Sequence, residues 1–182
     1  MEIYRAKIKY DKASIFQLAK TISKTYRLPL RIIVFITGFI MIFCSLFVSM
    51  GSTSSLTLLV IGCLLITGLD TPARRKALLS YNSIGQHDII GKYSFYANKF
   101  ILTAGEQISE AEYSKIIRLV EDDEHLYIFT DRTSAFMLDK ASVKPHSFKD
   151  LMRFLSENTG LKWSSVFSLF TFRLNIFKRR AK

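Results

Sequence analysis

The chain contains one long run without charge, and this run constrains the fold more than any other feature of the sequence. Residues 32–69 hold no Asp, Glu, Lys, Arg, His or Pro. Ile32–Met50 is 19 residues long, which as a helix spans about 28 Å and matches a hydrocarbon core of about 30 Å. Gly51–Ser55 is typical of a turn, and Leu56–Leu69 then forms the return helix, which extends back to residue 52 if the Ser/Thr residues of the turn enter the interface. We therefore predict a transmembrane hairpin over residues 32–69, with helices over 32–50 and 52–69.

The alternative is a hairpin buried inside a soluble protein. A soluble fold would have to cover nearly all sides of both helices, because neither helix has a polar face. Only about 100 residues of globular sequence remain to provide that cover. The composition therefore favours insertion into a membrane.

The net charge of +11 is concentrated beside the uncharged run and in the C-terminal tail. Residues 1–31 and 161–182 each carry +6, whereas residues 92–160 carry −2. A nucleic-acid-binding protein usually carries its positive charge on the folded domain, so this distribution favours an anionic lipid surface and argues against nucleic acid. Basic residues flank both ends of the hairpin and are absent from its turn. We predict a two-span protein of the cell membrane with both termini in the cytoplasm.

Residues 1–31 predict a strand followed by an amphipathic helix. Met1–Tyr10 alternates between two faces, one of them basic, which indicates a strand. A strand of this length is not stable alone, so it must pair with strands far along the chain. Asp11 is a plausible N-cap for a helix over Lys12–Leu28, which has an apolar and a basic stripe. This helix either packs on the globular domain or lies on the lipid headgroups.

The residues expected to contact the membrane surface are basic side chains near the hairpin and a basic, aromatic tail. The tail, residues 161–182, fits one apolar helical face that begins at Trp163, which is typical of a helix lying in the membrane interface. Docking of the tail on the protein's own domain, or disorder, remains the alternative. The candidate contact residues are Lys20, Lys24, Arg27, Arg31, Arg74, Arg75, Lys76, Trp163, Lys178, Arg179 and Arg180.

Residues 70–160 predict a cytoplasmic β-rich domain. Thr71 and Pro72 resemble a helix start, followed by a helix over 73–83. Ser147 and Asp150 resemble a capping box for a helix that ends at Gly160. The predicted strands are Lys92–Ala97, Lys99–Thr103, Glu112–Val120, His125–Thr130 and Ser134–Asp139. We therefore predict an α+β membrane protein: a two-helix transmembrane hairpin and a small antiparallel sheet that is covered by a C-terminal helix and joined by the N-terminal strand.

No group of residues in the sequence indicates catalysis or a cofactor. The three histidines are isolated, and no phosphate-binding glycine motif is present. Glu121–Glu124 reads as a solvated turn between two strands; a metal site is the weaker interpretation, because four adjacent acids cannot converge on one ion. Cys44 and Cys63 lie in the apolar run and suggest no disulfide framework. We predict no catalytic residue, no cofactor and no metal, and hence no enzyme.

Residues 91–160 carry a series of motifs that resembles a known family. The motifs are, in order, Phe100–Leu102, Glu112–Glu121, Leu126–Phe129, Ala135–Lys140 and the helix over Phe148–Leu155. They resemble the YcxB-like family of small bacterial membrane proteins. The order of a leading strand, a helical hairpin, a sheet and a helix is similar over nearly the whole chain except the tail. The resemblance implies a pleckstrin-homology-like C-terminal domain, and it supplies no activity and no catalytic residues.

Three functions are compatible with these features. The first is a non-enzymatic, membrane-anchored module that presents a cytoplasmic binding or regulatory domain to a protein or a lipid headgroup. The second is a small accessory subunit of a membrane transport or immunity complex, with the hairpin as the contact. An enzyme that acts on lipids comes last, because no mechanism for it is visible in the sequence.

Overall fold

The computed structural model describes residues 2–47, 51–83, 88–145 and 147–166 of the chain. The helices are α1 (Lys12–Tyr26), α2 (Leu28–Phe47), α3 (Ser52–Thr67), α4 (Thr71–Ser83) and α5 (Phe148–Thr159). The strands are β1 (Tyr4–Tyr10), β2 (Ile89–Phe95), β3 (Lys99–Ala104), β4 (Gln107–Glu112), β5 (Arg118–Glu121), β6 (His125–Phe129), β7 (Ala135–Asp139) and β8 (Trp163–Ser165).

The strands form two four-stranded sheets that share one core. The first sheet has the order β1-β2-β3-β4 and is antiparallel throughout, with Tyr4 opposite Phe95. The second has the order β7-β6-β5-β8, and only the β5–β8 pair in it is parallel. Phe95, Phe100 and Leu126 are completely buried where the sheets meet. The prediction of antiparallel sheet, joined by the N-terminal strand, is confirmed.

Helix α5 covers this core as the sequence predicts. Ser147 and Asp150 form the capping box, and Gly160 ends the helix in the left-handed conformation with φ of +69°. Leu151 and Leu155 on its apolar face are completely buried. Because a left-handed residue without a Cβ costs little, glycine is the natural stop at this position.

The predicted long strand over Glu112–Val120 is wrong. The chain instead leaves β4 at Glu112, makes a 3-10 turn over Tyr113–Lys115 and begins β5 at Arg118. Tyr113 is buried in this turn and donates a hydrogen bond to the backbone oxygen of Tyr96 at 2.7 Å. The break lets the chain pass from one sheet to the other, which a straight strand could not do.

Within the described residues, two helices are long and apolar enough to cross a membrane. They are Leu28–Phe47 and Thr53–Ser83, and only 6% and 11% of their most apolar windows are buried in the protein. A soluble core helix would be mostly buried, so this exposure fits a lipid environment better. Helices α2 and α3 touch closely at two glycines: a Cβ on Gly62 would lie 2.8 Å from the carbonyl oxygen of Gly38. Small residues of this kind let membrane helices approach each other.

Helix α4 begins at Thr71 and ends at Ser83, which confirms the predicted helix, but it follows α3 almost without a break, so Thr71 is not the predicted N-cap. The link is a 3-10 turn over Gly68–Asp70, and Thr71 itself has helical dihedrals. Pro72 is tolerated at this position because the 3-10 turn already interrupts the regular α-helical hydrogen bonds, so the missing N–H of proline costs little. The predicted turn over Gly51–Ser55 is also corrected, since Ser52 already begins α3.

Helices α1 and α4 form an antiparallel neck between the hairpin and the β domain. Lys20 of α1 lies 3.7 Å from Asp70, whereas Arg74, further along the chain, lies over the ring of Phe16. The apolar stripe of α1 faces the protein, because Leu18 and Ile22 pack against the core of the β domain. This arrangement fits the surface-helix interpretation of α1; its apolar stripe does not face lipid.

Candidate membrane-surface site

An ion pair closes the base of the hairpin. The Arg31 Nη2 atom, at the start of α2, lies 2.6 Å from Oδ1 of Asp70, at the end of the return helix. Arg31 Nη1 also donates to the backbone oxygen of Leu69 at 3.4 Å, and the Lys20 ammonium shares Asp70 at 3.7 Å. Both partners are partly shielded, with side-chain exposures of 18% for Arg31 and 35% for Asp70. Asp70 was not among the predicted site residues, although it is the first charge after the uncharged run.

Two further cations of the basic stripe have no acidic partner. In the part of the chain that the structure describes, no carboxylate lies within ion-pair distance of Lys24 or Arg27. Partial burial, together with the positive charges of Lys20 and Arg31, lowers the pKa of Lys24. Burial is the largest cause of this lowering, and the nearby cations add to it, whereas Asp70 and Asp122 act in the opposite direction.

On α4, the three predicted contact residues have different surroundings. Arg74 packs over the Phe16 ring at 5.6 Å, the same ring that the Lys20 ammonium approaches at 5.8 Å. Arg75 is exposed. Lys76 borders a cavity of about 400 Å³ between the neck and the two sheets. The structure therefore groups Arg74 with the basic residues of α1 through Phe16, and it places Lys76 beside a separate cavity.

The predicted tail helix is wrong over its described part, because Trp163 lies in strand β8. Trp163 pairs with Leu119 of β5, and its indole Nε1 donates to the backbone oxygen of Met152 at 2.9 Å. Trp163 therefore packs on the protein's own domain. The other tail candidates, Lys178, Arg179 and Arg180, lie outside the described residues.

A second polar cluster ties α1 to the turn between β5 and β6. The Asp122 carboxylate accepts hydrogen bonds from the Tyr127 hydroxyl at 2.6 Å and from Gln17 of α1 at 3.1 Å. It also accepts from the backbone N–H groups of Glu124 and His125, at 3.0 and 2.7 Å. Burial raises the pKa of Asp122, but the hydrogen bonds outweigh it and hold the pKa well below its usual range. Among the described residues no group of three or more His, Cys, Asp and Glu has a metal-binding arrangement.

Histidine 125 belongs to the same cluster and carries the opposite shift. Its Nδ1 atom lies 3.4 Å from Oδ1 of Asp122 and makes no hydrogen bond of good geometry. The close approach of the Asp122 carboxylate, through its polar contact and its charge, nevertheless raises the pKa of His125 above the ordinary histidine value. The cluster therefore joins α1 of the neck to the second sheet.

Comparison with known proteins bears on the β domain. No curated protein matches the chain. The family model described as "YcxB-like protein" matches residues 95–155, about a third of the chain. This segment runs from the last residue of β2 to Leu155 in α5, and it contains all the motifs on which the resemblance was based. The match confirms that residues 95–155 are a YcxB-like region.

Proposed function

We propose that the protein is a non-enzymatic, membrane-anchored binding or regulatory module, with its β domain at the cytoplasmic face of the cell membrane. One observation carries the proposal: the apolar hairpin is inserted between β1 and β2, which are paired neighbours in one sheet. Both ends of the hairpin must therefore lie on the same side of the bilayer as the domain. The excess of basic residues at this end favours the cytoplasmic side.

The architecture supports a presenting role for the domain. The hairpin and the sheets are joined by the packed neck rather than by flexible linkers, so the domain is held at a set distance from the bilayer. Thr53–Ser83 has 31 residues and is about 46 Å long, about 16 Å longer than the hydrocarbon core. The family resemblance implies a pleckstrin-homology-like domain, and two sheets covered by a terminal helix are compatible with it.

A cysteine-labelling experiment tests the topology. In a background with Cys44→Ala and Cys63→Ala, single cysteines are introduced as Thr53→Cys at the turn and Asp123→Cys on the domain. A membrane-impermeant maleimide should label the first in intact cells and the second only after permeabilisation. Labelling of both positions in intact cells, or release of the chain by a high-salt wash, would contradict the proposal.

The second candidate function is an accessory subunit of a membrane transport or immunity complex. It is favoured by an aromatic stripe on α2, where Phe39, Phe43 and Phe47 are 59%, 53% and 71% exposed and the last two rings stack at 4.5 Å. Purification in mild detergent separates the candidates. A stoichiometric membrane partner that is lost with Phe43→Leu and Phe47→Leu, but kept with Val60→Leu on α3, would identify a subunit.

A further inference from the structure

A cleft at the base of the hairpin combines a basic end with apolar walls. It has a volume of about 230 Å³ and lies between α1, the start of α2 and the end of α3. The polar lining residues are Ser23, Arg27 and Arg31, and the apolar ones include Leu30, Val34, Leu64 and Leu65. Val34 lies seven positions after Arg27 in the chain, which is a rise of about 10 Å along a helix. In a membrane-inserted chain, the basic end therefore lies at the headgroup level and the apolar walls at the level of the acyl chains.

The charge at the basic end is unbalanced. Asp70 is already paired with Arg31 at 2.6 Å and Lys20 at 3.7 Å. Arg27, which lines the cleft, and Lys24, one turn before it, pair with no carboxylate among the described residues. An anion placed in the cleft would meet the guanidinium of Arg27, and Arg31, which Asp70 already pairs, lines the same cleft. A guanidinium and a hydroxyl are also well suited to bind a phosphate.

We propose that this cleft binds one anionic glycerophospholipid, with the phosphate on Arg27 and Ser23 and the acyl chains along α2 and α3. The inference rests on the proposed membrane insertion. A cleft of about 230 Å³ is below the usual range of sites that enclose a ligand, so it takes the headgroup end of the lipid and leaves the chains outside. The walls continue into exposed apolar surface, since Leu30 is 57% and Leu64 65% exposed. Free phosphate has no apolar part, so contact with these walls would not stabilise its binding.

Native mass spectrometry of the full chain in a neutral detergent tests the proposal, with phosphatidylglycerol and phosphatidylcholine of equal chain length as probes. Phosphatidylglycerol should bind at least about tenfold more tightly than phosphatidylcholine. Arg27→Gln should weaken it by about tenfold, the effect of one charge-assisted hydrogen bond. The matched control is Arg75→Gln, which removes the same charge from an exposed site outside the cleft and should change the affinity by less than about twofold. Leu65→Phe, which fills an apolar wall without a charge change, should also weaken binding.

Three results would overturn the lipid site. Equal losses with Arg27→Gln and Arg75→Gln would mean attraction to surface charge in general. An Arg27→Gln variant that binds like the wild type would remove the headgroup contact. Displacement of the lipid by millimolar inorganic phosphate would identify a free-anion site. Failure of the membrane proposal looks different, because a high-salt wash would then release the wild type and every variant from membranes alike.

Discussion

Removal of the Asp122 carboxylate should loosen the neck from the β domain. In Asp122→Ala, the Tyr127 hydroxyl and the Gln17 amide lose the acceptor that they share. Tyr127 is completely buried, so its hydroxyl cannot turn to water for a replacement. A buried donor left without its partner costs about 1–3 kcal/mol.

The remaining losses are smaller. The backbone N–H groups of Glu124 and His125 lie at a turn that water reaches, so they regain most of their hydrogen bonding from solvent. Thr21 also bonds the Tyr127 hydroxyl and limits the damage there. We therefore expect Asp122→Ala to lower the free energy of unfolding by about 2–3 kcal/mol. For a domain of this size, that is a fall in the melting temperature of about 10 °C or more.

Thermal unfolding in detergent, followed by circular dichroism, measures the effect. The control is Asp123→Ala, which removes the same charge from the exposed neighbouring residue and should shift the melting temperature by less than about 2 °C. Amide hydrogen exchange should show the extra opening of Asp122→Ala in α1 and in the β5–β6 turn. If the two variants melt at the same temperature, Asp122 does not clamp the neck.

Two further predictions concern the hairpin and the pH dependence. Gly62→Ala should lower the melting temperature by several degrees, because the new Cβ would lie 2.8 Å from the Gly38 carbonyl oxygen. Gly68→Ala serves as the control, since its Cβ would meet nothing within 4 Å. Equal melting temperatures of the two variants would refute the close contact between α2 and α3. Asp122 raises the pKa of His125 in the folded state, so the stabilisation is complete below about pH 6.5 and is lost as the pH rises through the folded pKa. Melting curves between pH 6 and 9 should show this loss in the wild type and not in His125→Gln.

The sequence predicts those elements whose cause is local. The hairpin follows from the absence of charge over residues 32–69, and β1 follows from strict alternation, in which Tyr4, Ala6 and Ile8 are buried. The capping box at Ser147 and the stop at Gly160 are local backbone devices, and the structure contains both. In each case the residues that decide the structure are close neighbours in the chain.

The features that the sequence did not predict share one physical cause: each depends on a partner that is distant in the chain. Strand β4 has four exposed residues in succession, among them Ile108 at 71%, so no alternation marks it; it exists because β3 pairs with one of its edges. Trp163 fits a helical stripe, yet it joins β5 as a parallel strand across 43 intervening residues. Asp70 was not among the predicted site residues, because its ion pair with Arg31 appears only once the hairpin has closed.

The same dependence on distant partners suggests how the domain assembles. β1 pairs with β2, and 78 residues separate the ends of these strands in the chain. Closing so long a loop as a free coil is entropically costly. The hairpin reduces this cost, because once α2 and α3 pack, Arg31 and Asp70 are in contact and the neck helices run back side by side. The free coil left between the sheet strands then shrinks to the short segments beside the neck. We therefore expect the hairpin to form before β1 pairs with β2.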